Sequence, residues 1–149
     1  MNAQEFFKDT IENHMKYLKS LRDNSPNQLV CILITYESNK GLHIWSIQTD
    51  DQSPINAIKP IVYKVQPEFY IVFSEGWSIS NRDLEKPHSD LKHGDIEKMK
   101  KRKEVLNCYG QSKDGKYKVS KMFEIKRKNN QDIIDLIEYK GKIVSNKLP

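Results

Sequence analysis

Residues 68–77, EFYIVFSEGW, decide how the rest of the chain is read. In a strand, side chains alternate between the two faces of the sheet, so one parity carries Phe69, Ile71, Phe73, Glu75 and Trp77 and the other Tyr70, Val72, Ser74 and Gly76. Both faces are apolar enough to need cover, which predicts a central strand. Glu75 then shares a face with three apolar residues and an indole. An unpaired buried carboxylate costs on the order of several kcal/mol, so Glu75 needs a partner, a proton or the open end of the strand.

Upstream, Phe7, Ile11, Met15 and Leu18 recur at helical spacing, predicting an amphipathic helix from Glu5 to about Leu21 that lies on the sheet. His14 falls beside that stripe and reads as a core-edge residue. The turn-forming run Asp23 to Asn27 ends the helix. Two strands follow, Gln28 to Tyr36 and Leu42 to Gln48, joined by a short loop at Ser38 to Gly41. Ile55, Ile58, Ile61 and Val65 predict a short second helix from Asn56 to Val65. Pro60 is tolerated in its first turn, where no intrahelical donor is lost. Pro67 breaks the chain before the central strand.

Downstream, Ser78 to Lys103 has no clear period and reads as one long polar and basic loop, of the kind that is usually functional or mobile. From Glu104 a three-strand meander is expected, with turns at Asp114-Gly115 and Asn129-Asn130. Those turns set Leu106 opposite Phe123 and Val105 opposite Glu124, then Ile125 opposite Ile134, Phe123 opposite Leu136 and Glu124 opposite Asp135. One face, with Leu106, Cys108, Phe123, Ile125, Ile134 and Leu136, is core. The other, with Asn107, Tyr109, Met122, Glu124, Asp135, Ile137 and Tyr139, is mixed, and its opposed carboxylates need a cation, a neighbouring Lys or Arg, or a shifted register to relieve them.

The expected fold is therefore α+β: an antiparallel sheet of about six strands, ordered hairpin, central strand and meander, with both helices on one face. The chain has 149 residues, the length of one domain that builds a core without staples. Its N-terminus lacks the apolar run of a secretory signal, and its longest apolar run, Leu29 to Ile34, is too short to span a bilayer, so a cytoplasmic protein with no membrane partner is expected. Cys31 and Cys108 sit in predicted strands without metal-ligand spacing and read as buried free thiols.

The net charge is +5, but of 25 basic residues only Arg22, Arg82, Arg102 and Arg127 are arginine. Phosphate and base recognition favours arginine, so the lysine excess reads as a solvated surface and nucleic acid as a less favoured partner. His88, Asp90, His93 and Asp95 interleave histidines with carboxylates, yet the spacing matches no established zinc pattern. No nucleophile elbow, phosphate loop, dinucleotide fingerprint or zinc-protease motif is present, so no catalytic residue, cofactor or metal is assigned.

Glu75-Gly76-Trp77, then Asp95 and the run Arg102 to Leu106, then Phe123-Glu124-Ile125, and finally Asp135-Leu136-Ile137 together resemble a group of short bacterial and phage-encoded hypothetical proteins. In that group a strand ending in Glu-small-Trp precedes an Arg-x-Glu-aliphatic-Leu strand. The resemblance covers roughly the C-terminal half and implies no activity. The functional expectation is a binding or accessory module for a protein or small ligand, using the mixed sheet face and the 78–103 loop. Its candidate contact residues are Glu75, Trp77, His88, His93, Asp95, Arg102, Glu104, Tyr109, Glu124, Asp135 and Tyr139. The alternatives are a hydrolase built on Glu75 with acids or histidines of the loop, and a nucleic-acid accessory protein using the lysines of 98–103. Arg102 and Glu104 are expected to form one ion cluster with Glu75.

Overall fold

The computed structural model describes residues 1–21, 30–49, 53–92, 94–129 and 131–139, and the backbone of 143–145. Helix α1, Ala3–Ser20, starts at a capping box. Asn2 Oδ1 accepts from the Glu5 amide at 2.9 Å, and Asn2 Nδ2 donates to the Glu5 carboxylate at 3.0 Å. Strands β1, Val30–Glu37, and β2, Gly41–Gln48, form the expected hairpin, and α2, Pro54–Val65, follows. Helix α2 begins two residues earlier than its periodicity suggests, because Ser53 caps it and Pro54 supplies a pre-set first turn. Pro60 is consequently inside the helix rather than in its first turn, and α2 closes at Gln66 in the left-handed conformation, φ 51°.

The central strand is β3, Phe69–Ser80, followed by β4, Lys103–Ser112, β5, Lys118–Lys128, β6, Asp132–Glu138, and the short β7, Ile143–Ser145. Six strands run in the order β2-β1-β3-β4-β5-β6, all pairs antiparallel, in a sheet that curls into a half-barrel. β3 pairs with β1 from Phe69 to Ser74, and β7 takes over beside Ser78–Ser80. The fold is α+β with the expected strand order.

The two helices do not share a face. Phe6, Phe7, Ile11 and Leu18 of α1 pack on Ile71, Phe73, Leu106, Phe123 and Leu136, whereas Ile58 of α2 packs on Cys31, Leu33 and Val72. The alternation of β3 explains it: Ile71 and Phe73 point one way and Val72 the other, and each apolar face buries itself under its own helix. α1 comes close to the sheet at Gly110, where an added Cβ would lie 2.8 Å from the Tyr70 carbonyl oxygen and 3.0 Å from the Phe7 ring.

In the meander, Leu106 pairs with Phe123 and Val105 with Glu124, as the Asp114-Gly115 turn implies. The next hairpin differs. Ile125 pairs with Leu136, Phe123 with Glu138 and Glu124 with Ile137, and the register shifts between Lys126 and Arg127. This β-bulge puts Ile133, not Ile134, into the core, and leaves Ile134 60% exposed. Asn130, one of the two residues expected to make that turn, lies outside the described residues.

The segment expected to be a long loop is shorter and better packed. Ser78–Ser80 belong to β3 and Lys103 to β4, and between them three short 3-10 turns occur at Asn81–Asp83, His88–Asp90 and Ile96–Lys98. Ile96 and Met99 are buried against Ile79, with Trp77, Leu84 and Leu91 packed around them. A segment carrying its own apolar cluster is held to the sheet and is not an open arm.

Candidate functional site

Helix α2 covers Cys31 and Leu33 of β1 and Val72 of β3 and leaves Tyr70 of β3 and Tyr109 of β4 only partly covered. Ile58 is buried, but Tyr70 on β3 and Tyr109 on β4 are only partly covered, with ring centroids 6.4 Å apart. The pairing of Tyr70 with Gln111 and of Val72 with Tyr109 puts all three polar side chains at one place on this face. Between them and Ile55, Val62 and Tyr63 of α2 lies a cleft of about 680 Å³, with Lys59 and Gln66 also lining it.

Gln111 organises the floor. Its Oε1 accepts from the Tyr109 hydroxyl at 3.1 Å and the Tyr70 hydroxyl at 3.4 Å. An amide oxygen has two acceptor sites, so both are occupied, and the amide nitrogen is left to donate. Gln111 Nε2 has no hydrogen-bond partner among the described residues. Burial, with Tyr109 beside it, pushes the Tyr70 hydroxyl up to about 12, so it remains a neutral donor at any physiological pH. The lining contains Lys59 and no carboxylate. The cleft therefore offers apolar and aromatic walls, the polar Tyr70–Gln111–Tyr109 group and one cation, the mixture usual for small-molecule sites.

On the opposite face, Glu75 finds a cation, but from β5. Arg127 Nε and Nη2 donate to the two carboxylate oxygens of Glu104 at 2.6 and 2.8 Å, and Nη2 also donates to Glu75 Oε1 at 2.9 Å. Nη1 donates to the Gln131 carbonyl at 2.6 Å. The three side chains are nearly inaccessible, between 6 and 13% exposed. Arg102 is not part of this cluster. It precedes β4, and its guanidinium lies 4.8 Å from the Trp77 ring while donating to the Met99 carbonyl at 3.1 Å. Glu75 pairs with Leu106, four residues beyond Arg102, which lies just before β4 begins. Arg127, two residues after Ile125 on β5, shares its face and takes that place instead.

The remaining candidates are dispersed. Glu124 faces Ile137 rather than Asp135 and lies between Lys103, at 3.5 Å, and Lys126. Burial raises its pKa, but these two cations outweigh that and hold it below the usual carboxylate range. Lys103 also lies 5.6 Å from the Tyr139 ring, and Asp135 meets Lys19 of α1 at 3.9 Å. His88 is exposed at the start of a 3-10 turn, and Asp95 is neutralised by Lys86 at 2.8 Å. His93 lies outside the described residues. Among the described residues, no three His, Cys, Asp or Glu side chains are placed to hold a metal ion, and no helix is long and apolar enough to cross a membrane. Cys31 and Cys108 are both buried, and burial pushes the Cys108 thiol up to about 12.

Of the sequence candidates, then, Glu75 and Glu104 converge on one face and Tyr109 alone enters the cleft. Sequence reasoning passed over Tyr70, Gln111 and Lys59. The signal for Tyr70 was its parity on β3, opposite Ile71 and Phe73. Nothing local announced Gln111, which depends on the β3–β4 register across a long connection. No known protein family, curated protein sequence or solved structure matches the chain. The likeness to short phage and bacterial proteins therefore stands on its motifs alone.

Proposed function

We propose that this protein is a non-enzymatic binding module whose ligand is a small, flat, apolar molecule carrying a carboxylate, held in the cleft between α2 and the sheet. The observation that carries the reading is the floor of that cleft. There the Tyr70 and Tyr109 hydroxyls both donate to the Gln111 amide oxygen, so the three side chains form one polar patch among apolar walls. Tyr70, Tyr109 and Tyr63 supply aromatic surface for a flat body, and Lys59, with no carboxylate in the lining, favours an anionic end.

The hydrolytic reading has less support, because the carboxylate it would use, Glu75, is held by Arg127 among apolar neighbours. The nucleic-acid reading also weakens, since Lys101 lies 3.6 Å from Asp83 and Lys103 lies 3.5 Å from Glu124, each beside an anion that offsets it.

Thermal unfolding in the presence of a panel of aromatic carboxylates, each paired with its primary amide, tests the proposal. A ligand that binds only the folded state at 100 times its Kd raises stability by about 2.7 kcal/mol. The acids should stabilise more than their amides, and Lys59→Ala should reduce that preference. Tyr109→Phe and Gln111→Leu should weaken both. Equal, small responses in all variants would overturn the reading.

A further inference from the structure

We infer that the outer edge of β2 is a self-pairing surface, where two copies of this chain join their sheets antiparallel. Among the described residues, β2 has a partner on its β1 side only. An unpaired edge strand is a template for another strand, and proteins that stay apart protect such edges with charges, proline, bulges or a cover. From Gly41 to Gln48, GLHIWSIQ, there is no charged residue and no proline, in a chain that is 30% charged. Leu42 is 55% and Ile44 74% exposed. Their partners across the hairpin are Tyr36 and Ile34, so the apolar strip continues inward without interruption.

The other edge of the same sheet shows the contrast. β6 also exposes isoleucines, Ile134 and Ile137, but it carries Asp132, Asp135 and Glu138 along its length. Two copies brought together there would oppose like charges, which is the ordinary protection against pairing. The chain guards one edge and leaves the other bare.

The chemistry of β2 points to a second copy as the occupant. A two-fold axis perpendicular to the sheet keeps the α1 side of both copies together, so residues that meet must share parity. Centred on His43, this pairing sets Leu42 of each copy against Ile44 of the other, two apolar pairs on one face at the roughly 5 Å spacing of cross-strand neighbours. The strand has no charge with which to select a different partner.

Sedimentation velocity over a concentration series up to about 1 mM, the weak end of specific association, tests the inference. The expected result is a mass rising toward twice the 17.5 kDa chain. Ile44→Lys, at an exposed position, should keep the chain monomeric, while Ile134→Lys on the opposite edge should leave the dimer intact. Hydrogen exchange on the unaltered chain gives a second measurement if a variant loses its fold: amides of 41–48 should exchange more slowly as concentration rises. A chain that is monomeric throughout, a dimer unaffected by Ile44→Lys, or concentration-dependent protection confined to other strands would overturn self-pairing, whatever other strand the edge accepts.

Discussion

Arg127 holds Glu104 through two parallel hydrogen bonds, 2.6 and 2.8 Å, and with the same Nη2 reaches Glu75 across the sheet. The group lies on the α1 face of the sheet, where apolar residues pack on either side: the cluster under α1 contains Phe73 and Leu106, and the cluster of the 81–102 segment contains Trp77 and Ile96. Removing the cation takes the guanidinium away from two nearly buried carboxylates. Arg127→Leu should cost about 3–5 kcal/mol, the range for breaking a buried pair from one side. Glu75→Gln should change stability by only about 1 kcal/mol in either direction, because the Glu104 fork remains and the amide keeps the shape. Urea unfolding of both variants checks this, and an Arg127→Leu cost below that of Glu75→Gln would contradict it.

His14 provides a pH dependence. Its ring is buried and stacks on Phe73 at 4.0 Å, and desolvation lowers its pKa from 6.5 to about 4. The depressed value means that the unfolded chain binds the proton first, so stability is complete above pH 6.5 and falls as the pH drops toward 4. Between pH 7 and 5 the loss attributable to His14 should be about 2 kcal/mol. Urea midpoints measured at both values for the parent and for His14→Phe should differ in slope by that amount. A parent and variant with parallel pH profiles would remove His14 as the cause.

The bulge at Lys126/Arg127 separates two neighbouring isoleucines. Ile133, 3% exposed, should cost about 2–5 kcal/mol when cut to alanine. Ile134 should stay within about 0.5 kcal/mol. A larger cost at Ile134 than at Ile133 would place the register as the Asn129-Asn130 turn alone suggests.

That pair of residues also marks how far the sequence is legible. The Leu106–Phe123 register follows from an Asp-Gly turn whose backbone demands are strict, and the structure has it. Lys128 already pairs with Asp132, one residue beyond the expected register, and the bulge adds one more without any composition of its own, so Ile134 was expected where Ile133 lies, and Glu124 was expected to face Asp135. Arg127, not Arg102, meets Glu75 because β5 carries it on the face of Phe123 and Ile125, beside Glu104. The opposite placement of the helices was implicit in the two apolar faces of Phe69 to Trp77, since each face needed a cover. The cleft was only partly legible: Tyr109 stood out on a mixed face, but Tyr70 and Gln111 meet it through pairing between strands that are far apart in sequence.

Asn107 offers a different test of the α2 face. It is 4% exposed, pairs across the sheet with Ser74, and neither of its side-chain polar atoms has a partner among the described residues. A buried amide left unsatisfied costs about 1–3 kcal/mol, whereas an apolar group of the same shape avoids that loss. Asn107→Leu should therefore raise stability by about 1 kcal/mol or more in urea unfolding. A destabilised variant would mean that the amide is satisfied in solution.

The central claim is that the Tyr70–Gln111–Tyr109 floor receives the carboxylate-bearing ligand. The most direct measurement is an NMR titration with 2-naphthoate, following the side-chain amide of Gln111 and the methyl groups of Ile55, Ile58 and Val62. The account predicts saturable shifts concentrated at those four residues, and their loss in Gln111→Leu with the remaining resonances unchanged. Shifts centred instead on the 81–102 segment, or on Arg127 and its two carboxylates, would contradict it.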